Sequence, residues 1–118
     1  MLPQRHRLRK EKDIQEVFRR GRSIRSSPFI LKVHKAPDPN SQFKVTIVVP
    51  VRVFRKASMR NYTKRRVSEA FRQISSFLKS SGWHGVIVVD EDLKQRKLNE
   101  IAKSLIEVFR KASLLSST

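Results

Sequence analysis

Residues 29–49 read FILKVHKAPDPNSQFKVTIVV. Two apolar, β-branched runs, Phe29 to Lys35 and Phe43 to Val49, flank the cluster Ala36 to Ser41, which holds two prolines, an aspartate and an asparagine. Apolar alternation broken by Pro, Asp and Asn is strand–turn–strand chemistry, so the two runs are expected to pair as a hairpin. Pro50 ends the second strand or marks it as an edge, because proline has no N–H to give to a ladder.

Upstream, Ile14, Val17 and Phe18 stand at i, i+3 and i+4, which predicts an amphipathic helix over about 10–20. Arg19 and Arg20 fall in its last turn and Gly21 follows as a C-terminal cap. Residues 1–9 read as a basic arm, expected to be mobile at its start. Residues 22–28 read as a polar connection.

Downstream, Ser58 is placed to N-cap the longest helix, about 59–80. Its core face is predicted to be Val67, Ala70, Phe71, Ile74, Phe77 and Leu78, with Ser81-Gly82 as the stop. Val86 to Val89 is all apolar, as suits a short strand covered on both faces. A last helix over about 95–112 carries Leu98, Ile101, Leu105, Val108, Phe109 and Ala112. The order α-β-β-α-β-α predicts an α+β two-layer sandwich in one domain over residues 1–118, a length that fits one core.

Lys and Arg total 27 against 10 Asp and Glu, a formal net charge of +17 at pH 7. Such an excess repels itself on folding and points to a polyanionic partner. No apolar run reaches the roughly eighteen residues that a membrane span requires. The basic N-terminus lacks the apolar stretch of a signal peptide. Cysteine is absent, which excludes disulfides and thiolate metal sites and suits a reducing compartment. Nucleic acid in the cytoplasm is the expected setting, with no membrane and no small-molecule substrate.

Where the cations lie says more than their number. Between Asp38 and Glu69 there is no acidic residue, and Lys44, Arg52, Arg55, Lys56, Arg60, Lys64, Arg65 and Arg66 all fall inside that gap. Several occupy the first turns of the long helix, where the macrodipole is already positive and cations cost stability. Backbone N–H groups, dipole and side chains there all favour phosphate. At 100° per residue, Asn61, Lys64, Arg65, Ser68 and Arg72 form one polar stripe. The lysine and arginines would hold phosphates, and Asn61 could bond a base edge or a 2′-hydroxyl. The candidate RNA-binding set is Arg52, Arg55, Lys56, Arg60, Asn61, Lys64, Arg65, Arg66, Ser68 and Arg72; a merely solvated basic face is the alternative.

The segment 53–71, VFRKASMRNYTKRRVSEAF, resembles the signature of the bacterial ribonuclease P protein, Lys-Ala-Val-x-Arg-Asn-Arg-x-Lys-Arg-x-x-x-Glu-Ala. It matches through Lys56, Ala57, Arg60, Asn61, Lys64, Arg65, Glu69 and Ala70. Arg7-Leu8, Asp13, Val17-Phe18 and Gly21 are similar to the family's opening helix, and Pro28-Phe29 and Phe109-Arg110-Lys111-Ala112 also fit. The chain departs from the pattern at Tyr62, usually Arg, at Thr63, usually aliphatic, and at Pro50-Val51-Arg52, where the family favours Ser-Lys-Lys. It also carries Asp90-Glu91-Asp92 where Arg is common.

The resemblance implies a ribosomal-protein-like fold with a left-handed β-α-β crossover. It further implies a subunit of an endoribonuclease that removes the 5′ leader of precursor tRNA, with the active site in a catalytic RNA. The Arg60–Arg66 helix would dock on that RNA, and a cleft between the first helix and the central sheet would take the leader. Phe18, Phe29, Lys32 and His34 are the cleft candidates, with core packing the alternative for both phenylalanines. The protein itself would hold no cofactor; magnesium would sit at the RNA.

His6, His34 and His84 are scattered without zinc-ligand spacing, and no nucleophile–base set is visible. Asp90-Glu91-Asp92 could hold magnesium, but suits a solvated turn better. A protein-only nuclease is therefore weakly supported. A structural RNA binder of ribosomal type remains the alternative.

Overall fold

The computed structural model describes residue 2 and residues 4–78 and 82–115. In chain order the elements are α1 (Glu11–Arg20), β1 (Arg22–Ser26), β2 (Phe29–Lys35), β3 (Lys44–Val48), α2 (Ala57–Ile74), β4 (Trp83–Val89) and α3 (Leu98–Lys111). Single 3₁₀ turns occur at Gln4–His6 and Ser75–Phe77. The α+β class is as expected.

The expected hairpin does not form. The four-stranded sheet runs β1-β2-β4-β3, so β4 lies between the two strands of the opening stretch, antiparallel to β2 and parallel to β3. The segment between β2 and β3 is an arch rather than a tight turn. Ala36 N–H donates to the Gly82 carbonyl at 2.8 Å, and Gly82 N–H donates to the Ser41 carbonyl at 2.7 Å. Those bonds hold the arch open by one strand width where β4 enters, and Gly82 supplies the positive φ of 84° needed there. The apolar run Val86–Val89 explains the choice of centre. A strand without polar positions is stable only where neighbours and both faces cover it.

Residues 22–26 are not a loop but the edge strand β1, joined to β2 through Ser27 and Pro28 and registered Ser26↔Phe29 to Arg22↔Val33. Its polar composition hid it, and an exposed edge is where a strand can be polar. Arg22 also donates to the Ala112 carbonyl at the C-terminal end of α3, where a cation meets the negative end of the helix.

Alternation along the strands sends two apolar sets to opposite faces. Phe29, Leu31, Val33, Val45, Ile47, Ile87 and Val89 join Val67, Ala70, Phe71 and Ile74 of α2 and Ile101, Leu105, Val108 and Phe109 of α3 in the main core. On the other face α1 lies across the sheet and packs Val17 and Ile14 with Leu8, Val48, Val86 and Val88.

The predicted ends of α2 need correction. Ser58 lies inside the first turn; the cap position is Lys56, which makes no side-chain cap bond. The helix ends at Ile74, and residues 79–81 of the expected span and stop lie outside the described residues. Phe77, expected in the core, is 53% exposed because the 3₁₀ turn after Ile74 shifts the helical phase. Gly21 has φ −72°, so it is not a left-handed cap. It is needed because a Cβ there would meet the carbonyls of Val17 and Val33, the latter at 2.8 Å. Described residues of the basic arm make contacts with the body of the fold. Leu2 and Leu8 are buried, Leu8 N–H donates to the Val45 carbonyl at 2.9 Å, and His6 Nδ1 lies 2.8 Å from the Phe43 carbonyl oxygen.

Candidate nucleic-acid interface

The N-terminal half of α2 begins with no carboxylate in its first turn. The cations crowded there divide into two groups. Arg60 turns back and donates from Nη1 to the carbonyls of Phe54, at 2.9 Å, and Arg55, at 2.7 Å, bracing the loop that enters the helix. Arg66 donates to Leu93 at 2.8 Å and to the Arg96 carbonyl, while its guanidinium carbon lies 5.6 Å from the Tyr62 ring centroid. Arg52 pairs with Asp90, and Arg72 donates to Glu69 at 2.8 Å. These four of the predicted RNA-binding residues already have a partner within the chain.

Arg55, Lys56, Lys64 and Arg65 are exposed and have no side-chain partner among the described residues. Within the predicted set, and among the described residues, they are the cations left free to meet phosphate.

Asn61, Lys64, Arg65 and Ser68 come together as the sequence predicts and form one wall of a cavity of about 470 Å³. Strand β3 supplies its floor with Val45, Thr46 and Ile47. The arm closes the remaining side with Leu2 and Arg7, whose Nη2 donates to the Leu2 carbonyl at 2.8 Å. Arg72 does not reach this cavity. A second hollow of about 400 Å³, between α2 and α3, is lined by Tyr62, Arg65, Arg66, Glu69 and Leu98, so Arg65 stands on the ridge between the two. The cavity wall contributed by β3 and the arm was hidden in the sequence, since only the fold brings residues 2–7 beside residue 65.

On the opposite face of the sheet, Phe18 of α1 is 46% exposed and Lys32 Nζ lies 5.9 Å from its ring centroid. Lys32 also donates to Ser23 Oγ at 2.9 Å. His34 shares this face and stands directly across the β2–β4 ladder from His84. Phe29 does not belong with them. It points to the main core and is fully buried, because residues 29, 31 and 33 alternate with 30, 32 and 34. The core-packing alternative holds for Phe29 and fails for Phe18.

Missed in the sequence was the pocket around the two histidines. Asp13 and Glu16 of α1 line it beside His34, Lys35 and His84. His84 is held below the usual histidine range by burial first, with Lys44 and His34 adding and the Asp13 carboxylate opposing.

A sheet with α1 on one face, two helices on the other and exposed cations on an acid-free helix start defines a small, basic α+β protein. Residues 2–113 match the family model described as Ribonuclease P. The chain belongs to the ribonuclease P protein family. Similar curated proteins named ribonuclease P protein component include one from Picosynechococcus sp., 32% identical over 92% of this chain and 96% of that protein. Another, from Bacillus velezensis, is 30% identical over 96% of this chain and 94% of its own length. Among solved structures, the Thermotoga maritima RNase P protein aligns with a TM-score of 0.74 and 25% identity over 89% of this chain and 96% of that chain. The Staphylococcus aureus RNase P protein, at TM-score 0.76 and 21% identity over 94% and 98% of the two chains, shares the fold. Among the described residues no helix is long and apolar enough to cross a membrane.

Proposed function

We propose that this chain is the protein subunit of ribonuclease P and helps a catalytic RNA remove the 5′ leader of precursor tRNA. Lys64 and Arg65, with Arg55 and Lys56 at the helix start, hold phosphates of the catalytic RNA. The α1 side of the sheet, with Phe18 and Lys32, receives the single-stranded leader by stacking and charge. The observation that carries this reading is the set of partnerless cations on an acid-free helix start in a member of this family.

The protein's part is electrostatic. It supplies counter-charge at fixed positions, so RNA segments approach one another at a lower cost in repulsion. The bond-breaking step takes place in the cytoplasm and belongs to the RNA, which holds the magnesium.

Recovering the RNA that co-purifies with the tagged chain tests the proposal. One defined, non-ribosomal RNA that cleaves precursor tRNA supports it, whereas ribosomal RNA alone contradicts it.

A further inference from the structure

The cavity between α2, β3 and the N-terminal arm has a composition that phosphate binding does not require. A phosphate site needs donors and cations; this one also has an apolar floor. Ile47 and Leu2 are each only 8% exposed, yet both line it. Its polar side chains are few: the Asn61 amide, which has no partner among the described residues, and the Ser68 hydroxyl, with Thr46 of the edge strand between the two floor residues. Three cations, Arg7, Lys64 and Arg65, surround it, and no carboxylate lines it. Its volume, about 470 Å³, falls in the range typical of sites that enclose a small organic group.

We propose that this cavity receives one unstacked nucleobase of the bound RNA, while Arg7, Lys64 and Arg65 hold the phosphates on either side of it. A flat, weakly polar ring fits an apolar slot, and its Watson–Crick edge can bond the Asn61 amide, which offers both donor and acceptor. The helix then does more than attract the RNA backbone. It fixes one nucleotide in register, and the arm is the third wall of that site. The inference builds on the RNA-binding reading of α2 and adds a base-sized subsite to it.

Two measurements separate a base site from a phosphate site. In the first, amide resonances of the full chain are followed as adenosine 5′-monophosphate or ribose 5-phosphate is added. The nucleotide should move the resonances of Thr46, Ile47, Asn61 and Ser68 well beyond the shifts caused by ribose 5-phosphate. Equal shifts from the two probes, or no shift at these positions, would overturn the proposal. Because neither probe contains the catalytic RNA, this outcome does not depend on the chain being a ribonuclease P subunit.

The second compares variants in binding to the co-purified RNA. Asn61→Ala removes an exposed amide that holds nothing in the fold, and Ser68→Leu fills the slot. Each should weaken binding about tenfold, the scale of one lost base contact, and leave the salt slope as it was. Lys64→Ala should flatten that slope. If Asn61→Ala binds as tightly as the parent chain, or if it changes the slope as Lys64→Ala does, the cavity holds no base.

Discussion

The Arg66 guanidinium donates from Nη1 to the Leu93 carbonyl at 2.8 Å, tying α2 to the segment that leads into α3. Its neighbour Arg65 has no such bond among the described residues and stands exposed on the ridge between two hollows. Two adjacent arginines of one basic run thus do different work, and substitution should separate them. Arg66→Ala should lower unfolding stability by about 2 kcal/mol, the cost of losing charge-assisted bonds to carbonyls, as read by urea denaturation. Arg65→Ala and Lys64→Ala should leave stability within about 0.5 kcal/mol and flatten the salt dependence of RNA binding by about one unit each.

Gly21 joins α1 to β1 where two carbonyls crowd its Cα, with Val33 O only 2.8 Å from any added Cβ. Gly21→Ala should therefore cost about 1–3 kcal/mol, the scale of overpacking, although its φ of −72° suits any residue. A thermal midpoint unchanged from the parent would show that the joint relaxes freely.

Much of this fold was legible in the sequence, for physical reasons that can be named. The α2 and α3 faces were visible because burial on one side imposes helical spacing, as in Val67, Ala70, Phe71 and Ile74. Strand order was not. Local patterning makes Phe29–Lys35 and Phe43–Val49 strands but is silent on what lies between them, and only the Gly82 bonds to Ala36 and Ser41 show where β4 enters. At the site, spacing correctly grouped Asn61, Lys64, Arg65 and Ser68. It could not tell a cation that braces a carbonyl, such as Arg60, from one that is free, because the partner is a backbone atom with no sequence signature.

Phe18 and Phe29 look equivalent in the chain and differ in the fold: one is half-exposed beside Lys32, the other fully buried. Phe29→Ala should destabilise the protein by about 3–5 kcal/mol. Phe18→Ala should spare most of the stability and weaken binding of a single-stranded leader oligonucleotide about tenfold, the loss of one stacking contact. Fluorescence anisotropy with a labelled leader and a denaturation curve for each variant check both halves.

His84 titrates below its unfolded value of about 6.5 because burial opposes its charged form. The unfolded chain therefore takes up a proton at a pH where the folded chain does not. Stability is full above about pH 6.5, falls as the pH drops through that value, and levels off once folded His84 is protonated. Urea midpoints measured from about pH 7.5 to about pH 5 should show this decline, and His84→Gln should remove most of it. An equally steep decline in that variant would place the effect elsewhere.

The claim that the chain assists an RNA catalyst is met most directly by reconstitution. Transcribed catalytic RNA and precursor tRNA are incubated at low magnesium with and without the purified, RNA-free chain. Leader release should be slow with RNA alone, fast with both, and undetectable with the protein alone. Cleavage by the RNA-free protein, or no gain when it is added to the RNA, would contradict the account.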